Sequence, residues 1–375
     1  MNVDFNTNIL NQLLQDSELA PIAIDKFPKV NEWNTKYSKP TYLQLVELAK
    51  IFHIPFGYFF LEKIPTKKYP IPHYRTITNK QFKASGELLE TIETIEQRRG
   101  FARNILQESR KPLTFANSIT IKTDIDKAAQ LLRDTLKLPV DWASTLEEQR
   151  KGWREAFFML TKRAEQAGIF VVQNSKENGR VLKVEEFRGF VLYDEYAPFI
   201  FINGNDFFTG KMFTIIHEIA HILIGESASF DFANLNAAHN DIEQFCDRVT
   251  AEFLVPKILI LKEYESGNRD YANLAERFKV SRIVIARRLQ DLNKISEKEF
   301  MAAYNSFQTG FNEVNKKGDG GMFYNSAPYK ISREFFKLVY NSVKSNRLLY
   351  RDAFRLTGLT PKSFDGYIKE YFNKD

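Results

Sequence analysis

Two histidines four residues apart, with a glutamate directly after the first, give this sequence its clearest chemistry. They lie in the run Thr214-Ile215-Ile216-His217-Glu218-Ile219-Ala220-His221-Ile222-Leu223. On a helix, positions i and i+4 share one face, so the imidazoles of His217 and His221 can reach a single metal ion. Glu218 is offset by one residue, where it can act as general base without being a ligand. Zinc with three protein ligands keeps a fourth position for water, whose pKa it lowers to about 7. A third ligand is therefore required. A histidine six residues after the second is excluded, because position 227 is Ser. Further on, Glu243 and Asp247 stand at i and i+4 of the next predicted helix. Glu243 is the preferred ligand. Asp247 would accept from the far nitrogen of a ligand histidine, the contact that fixes its tautomer and orientation. Glu252 is the alternative third ligand, its ordinary role being a helix salt bridge. His239, in a segment rich in Asn and Asp, is a candidate donor to a developing oxyanion. Cys246 falls off the Glu243/Asp247 face and reads as a small buried residue. One zinc ion is expected, with another divalent metal as the alternative.

A helix that carries such ligands needs a rigid support. Ile169 to Gln173, Phe187 to Tyr193 and Phe199 to Asn203 are short, aromatic and β-branched, with turn residues between them, and predict strands of a small sheet. The helix that carries His217 follows the third strand. Upstream, helices are predicted from about Asp124 to Lys137 and from about Glu148 to Gln166, the second stopped by Gly168. Leu88, Ile92 and Ile95 mark one face of an earlier helix. Near the start, Thr41 and Gln44 form a capping box before the apolar face Leu45, Leu48, Ala49 and Phe52. The proline-punctuated stretch Ile64 to Pro72 reads as a linker.

The fold class expected is α+β: a zincin-like domain with a small sheet and a metal helix, flanked by helical segments. The divisions are residues 1–63, helix-turn-helix-like; 64–140, linker and helical connector; 141–300, peptidase-like, with a second helix-turn-helix-like module at 270–292; and 301–375, helical. In the last, Phe336, Val339 and Val343 share an apolar face that suits packing or a homodimer equally.

Composition bounds the setting. The chain is 375 residues long, 43% hydrophobic and 27% charged, which excludes a disordered protein. No apolar run approaches the roughly 20 residues of a membrane span. Met1 to Leu10 lack the charged and apolar regions of a secretory signal. A single cysteine excludes an internal disulfide framework. These features predict a cytoplasmic protein with no membrane partner. The net charge of +6 is mild for this length and does not by itself argue for nucleic acid.

The spacing of Glu243 and Asp247 after the His217–His221 motif is similar to that of gluzincin peptidases, in which the two carboxylates ligate the metal and orient a ligand. More closely, His217 to Pro256, with H-E-I-A-H and then E-Q-F-C-D-R-V-T-A-E-F-L-V-P, resembles the ImmA/IrrE family of metallo-endopeptidases. R-G-F-V-L-Y-D and P-F-I-F-I-N look like that family's strand pair before the zinc helix. Trp33 and the run from Pro40 to Leu61 look like the second half of an Xre-type helix-turn-helix domain often fused in front. L-A-E-R-F-K-V-S-R-I-V-I-A-R-R-L looks like the module that follows the zinc site. The resemblance implies a zincin-like peptidase acting on a regulatory protein, a repressor or antitoxin-like partner, with His217, His221 and Glu243 as ligands and Glu218 as base. Cys246 stands where the family commonly has a smaller residue.

DNA is the other partner to weigh. Pro21 to Val30, the presumed recognition region, is broken by Pro21 and Pro28 and lacks Arg and Gln, the common readers of base edges. Leu274 to Leu289 carries Arg277, Lys279, Arg282, Arg287 and Arg288 around the turn Lys279-Val280-Ser281, a density that suits phosphate contacts or a module packed on the peptidase. Three functional classes follow: a peptidase cleaving a regulator, a DNA-binding regulator with a sensory or structural zinc site, and a partner protein whose zinc serves folding. Glu218 favours the first, since a structural site needs no base and is normally closed by four protein ligands.

Overall fold

The computed structural model describes residues 2–16, 19–52, 54, 56–63, 84–149, 151–226, 228–230, 241–314 and 330–372. The linker expected at Ile64 to Pro72 and His239 lie outside these residues. The chain divides into two units, Met1–Tyr69 and Pro70–Asp375.

The first unit is helical: α1 (Thr7–Asp16), α2 (Ala20–Lys26), α3 (Val30–Asn34) and α4 (Tyr42–Ile51), followed by a 3-10 turn at Phe56–Phe60. Ile9, Leu10, Trp33, Leu45, Leu48 and Phe59 form its core. The capping box is present, with Gln44 N donating to Thr41 Oγ1 at 3.3 Å and Thr41 N to Gln44 Oε1 at 2.8 Å. Pro21 does not break a helix. It sits in the first turn of α2, where a missing N–H leaves no bond unmade. The exposed face of α2 carries Ile22 and Ile24 beside Asp25 and Lys26, the latter paired with Glu47 at 2.8 Å.

The second unit begins with α5 (Gly86–Ser109), α6 (Ile125–Leu136), α7 (Trp142–Glu148) and α8 (Trp153–Gln166). Asp124 caps α6 by accepting from Lys127 N, and Lys137 ends it in a left-handed conformation at φ 52°. The helix expected from Glu148 starts instead at Trp153. Gly152 is extended there, and its N–H donates to the Glu155 carboxylate at 3.1 Å, an N-terminal cap that the apolar pattern concealed. Gly168, at φ +94°, stops the chain after α8 as expected.

Five strands, β1 (Phe170–Asn174), β2 (Lys176–Glu177), β3 (Arg180–Val181), β4 (Gly189–Leu192) and β5 (Phe199–Asn203), precede α9 (Phe208–Ile224), and β6 (Ala228–Phe230) follows it. The main sheet has the order β1-β5-β4-β6. β1 runs parallel to β5, while β4 is antiparallel to both β5 and β6. β2 and β3 form a separate hairpin. Then come α10 (Asp241–Leu254), α11 (Lys257–Glu265), α12 (Tyr271–Phe278), α13 (Arg282–Asp291), α14 (Glu297–Val314), α15 (Arg333–Lys344), α16 (Tyr350–Thr357) and α17 (Pro361–Phe372).

One core joins these layers. Ile215, Ile216, Ile219 and Ile222 of α9 pack with Val191, Ile200 and Ile202 of the sheet, Val249 and Phe253 of α10, and Leu274 and Ile285 of α12 and α13. Gly189 permits the close approach of α9 to β4. A Cβ there would lie 2.5 Å from Thr214 Cγ2 and 2.7 Å from the Phe201 carbonyl oxygen. The C-terminal helices pack on the same unit. Phe335 meets Phe101, Phe170 and Phe199 edge-on, and Phe336, Val339 and Val343 are buried. Their apolar face is thus used within the chain.

Candidate active site

α9 presents His217 and His221 one turn apart, both 1% exposed, towards the first two turns of α10. Nε2 of His217 lies 3.1 Å from Nε2 of His221 and 3.1 Å from Glu243 Oε2, while His221 Nε2 is 3.4 Å from Glu243 Oε1. Tetrahedral bonds of about 2.0–2.1 Å require ligand-to-ligand edges of about 3.3 Å. The three donors thus stand at the separations one ion needs, and among the described residues they are the group that could hold one. Nδ1 of His217 is 3.1 Å from Asp247 Oδ1, the placement of a carboxylate that orients a ligand imidazole.

The charges respond to this proximity. Burial pushes the His217 imidazole down, but the Asp247 and Glu243 carboxylates outweigh it and hold it up at about 10. Burial acts upward on Glu243, yet hydrogen bonds from His217 and His221 hold it well below the usual carboxylate range. His221 goes down, first by burial and then by the charge of His217. The two carboxylates thus favour positive charge where the three donors meet, the place a cation would take. Glu218 differs. It is fully buried, and neither of its carboxylate oxygens meets a hydrogen-bond partner among the described residues. Burial raises its pKa well above the usual value, opposed by His217 and reinforced by Glu243. A carboxyl held there without a structural partner is suited to receive a proton and release it.

The remaining residues singled out above fall elsewhere. Glu252 is nine positions beyond Glu243, about 13 Å along α10. Its carboxylate pairs with the Arg288 guanidinium and accepts from Lys257 N at 3.2 Å. Cys246 is buried, and burial with the neighbouring carboxylates pushes its thiol up, away from the thiolate a metal requires. The turn between α12 and α13 falls at Lys279-Val280-Ser281 as expected, with Lys279 left-handed. The basic residues around it are largely turned to intramolecular use. Arg277 pairs with Asp141 at 2.8 Å, Lys279 is 1% exposed and pairs with Glu276, and Arg288 is buried against Glu252 and the Val255 carbonyl. Arg282 and Arg287 are exposed, the latter 3.0 Å from Asp291.

Two contributions escaped the sequence. Phe213 stacks on the His217 ring with centroids 6.2 Å apart, one turn earlier on α9, a spacing that could have been noticed. Arg188 reaches both Asp206 oxygens at 3.1 Å, and Asp206 accepts from Phe207 N at 2.8 Å. This ties β4 to the start of the metal helix, a long-range pairing with no local signal.

A mixed sheet backing a helix that offers two imidazoles, met by a carboxylate from the next helix, is the architecture of a zincin-like metallopeptidase domain. Comparison with known families agrees: residues 164–290 match the M78 peptidase family model, described as the IrrE N-terminal-like domain of the ImmA/IrrE family. Such a domain implies a divalent metal and a protein substrate. Residues 331–370 match a family described only as a domain of unknown function. No curated protein and no solved structure matches the chain. No helix among the described residues is long and apolar enough to cross a membrane.

Proposed function

We propose that this chain is a zinc-dependent endopeptidase that cleaves a regulatory protein, such as a transcriptional repressor of a mobile element or stress pathway. The observation that carries the reading is the buried, unpartnered Glu218 carboxyl beside three donors at tetrahedral spacing. His217, His221 and Glu243 hold the ion, and Asp247 fixes the His217 ring. Bound there, zinc would supply a Lewis acid and an activated water. Glu218 takes the proton of the attacking water and returns it to the leaving amine. Substrate adds as a strand along β6, which among the described residues pairs with β4 alone. A polypeptide in that position is held by main-chain hydrogen bonds, so proline beside the scissile bond should block cleavage.

The test uses Glu218→Gln as a trap. Incubated with proteins from its own cell, the variant should retain a polypeptide that the wild type cuts at one position, and a chelator should stop the cutting. A wild type that leaves every retained polypeptide intact, with metal supplied, contradicts the proposal.

A further inference from the structure

Two stretches of the chain are strongly basic, residues 63–83 and the C-terminal segment. Residues 330–375 contain ten Lys and Arg against five Asp and Glu, a net excess of five. The structure shows where this charge goes. α16 and α17 are joined by three residues, Gly358, Leu359 and Thr360, with Gly358 left-handed at φ +68° and Thr360 Oγ1 accepting from Ser363 N at 3.3 Å. Two helices joined by a three-residue glycine turn, with a third, α15, packed against them, have the connectivity of a helix-turn-helix.

The inner faces of this module are spent on packing. Phe336 contacts Phe364 and Tyr367, and Phe354 meets Phe364 edge-on. The outer face is basic. Arg351 and Arg355 stand at i and i+4 on α16, and Arg347 lies in the connection just before it, with side chains 86%, 76% and 62% exposed respectively. Their nearest carboxylates are Glu108 at 3.7 Å from Arg347 and Asp352 at 3.8 and 3.6 Å from Arg351 and Arg355, separations too long for strong pairing. On α17, Lys362, Ser363, Asp365, Gly366 and Lys369 are exposed. A Cβ at Gly366 would meet nothing within 4 Å, so the helix surface is open there.

We propose that residues 330–372 bind duplex DNA, with Arg351 and Arg355 of α16 and the preceding Arg347 on the phosphates and the first turns of α17 in the major groove. In this arrangement the first helix of the pair crosses the backbone while the second reads base edges. Lys362, Ser363 and Asp365 have the chemistry for guanine, for any base and for cytosine respectively. The module differs from α12 and α13, whose basic side chains are mostly buried or paired inside the fold. Phe335, Phe336, Val339, Val343 and Phe364 are buried, while Leu349 and Tyr350 at the start of α16 are exposed. The proposal does not depend on peptidase activity.

The experiment measures binding of the full-length protein to a fluorescent mixed-sequence duplex of about 30 bp across a salt series. Wild type should bind, and Arg351→Ala/Arg355→Ala should bind more weakly. Losing two phosphate contacts lowers the slope of log K against log salt by about 1.8, so the penalty between about 50 and 200 mM salt shrinks about 12-fold. Both side chains are exposed, and an unchanged melting temperature confirms folding. Arg282→Ala/Arg287→Ala on α13 should match wild type. The proposal is overturned by no binding at the lowest salt, by binding to anionic vesicles or an acidic protein but not DNA, or by loss of binding only in the α13 variant.

Discussion

Gly189→Ala probes the contact that seats the metal helix. The added methyl would fall 2.5 Å from Thr214 Cγ2 and 2.7 Å from the Phe201 carbonyl oxygen, both too close for carbon. Thr214 is one turn before His217, so relief must come from moving α9 off β4 or from turning the threonine. Overpacking of this kind costs about 1–3 kcal/mol. Alanine in place of glycine returns about 0.4–1 kcal/mol by restricting the unfolded chain. The net expectation is a loss of about 1–2 kcal/mol, or roughly 2–3 °C in melting temperature for a unit of this size, with weaker metal binding because the ligands ride on the displaced helix. Thr214→Ser removes the Cγ2 contact and should itself cost about 1 kcal/mol for the buried methyl. Thermal and urea denaturation of both single variants and the double variant form a cycle. The double should be more stable than the sum of the singles by roughly 1 kcal/mol. Strict additivity, or a Gly189→Ala protein as stable as wild type with full metal affinity, refutes the reasoning.

Other consequences are equally open to measurement. Asp247→Asn should fold normally and bind metal about 10–100-fold more weakly in a competition titration, as loss of an orienting carboxylate does. Arg288→Ala leaves Glu252 buried without its guanidinium, which should cost about 3–5 kcal/mol in urea unfolding. Arg288→Met with Glu252→Gln should recover part of that loss. Glu165, raised to about 7 chiefly by burial where α8 meets the start of α15, favours the folded state when protonated. The stability it contributes is present below about 4.5 and is lost as pH rises through about 7. Relative to Glu165→Gln, wild type should therefore weaken between pH 5 and 8 by at most about 3 kcal/mol, and a constant difference across that range contradicts the assignment.

The candidate site was legible because its chemistry is local. His217, Glu218 and His221 lie within one helical turn, and Glu243 and Asp247 within another, so two periodicities sufficed to bring them together. The strands around Phe170, Val191 and Phe201 were legible for the same reason, as short apolar runs between turns. The hairpin of β2 and β3 was not, because two-residue strands carry no pattern. Nor was the end use of Arg277, Lys279 and Arg288. Their density suggests an outward basic face, but Asp141 and Glu252, which claim two of them, are distant in sequence. The C-terminal helices showed their apolar face clearly. That Phe335 covers the sheet through Phe170 and Phe199 depends on a contact across more than a hundred residues, which no local pattern encodes.

The central claim is that His217, His221 and Glu243 hold one metal ion while Glu218 serves chemistry alone. Metal content of the purified protein and of Glu218→Gln, His221→Ala and Glu243→Ala tests it directly. Wild type and Glu218→Gln should each carry about one zinc per chain, and the other two should lose it. Retention of zinc by Glu243→Ala would contradict the ligand set. Absence of zinc from wild type after metal is supplied would contradict the peptidase account as a whole.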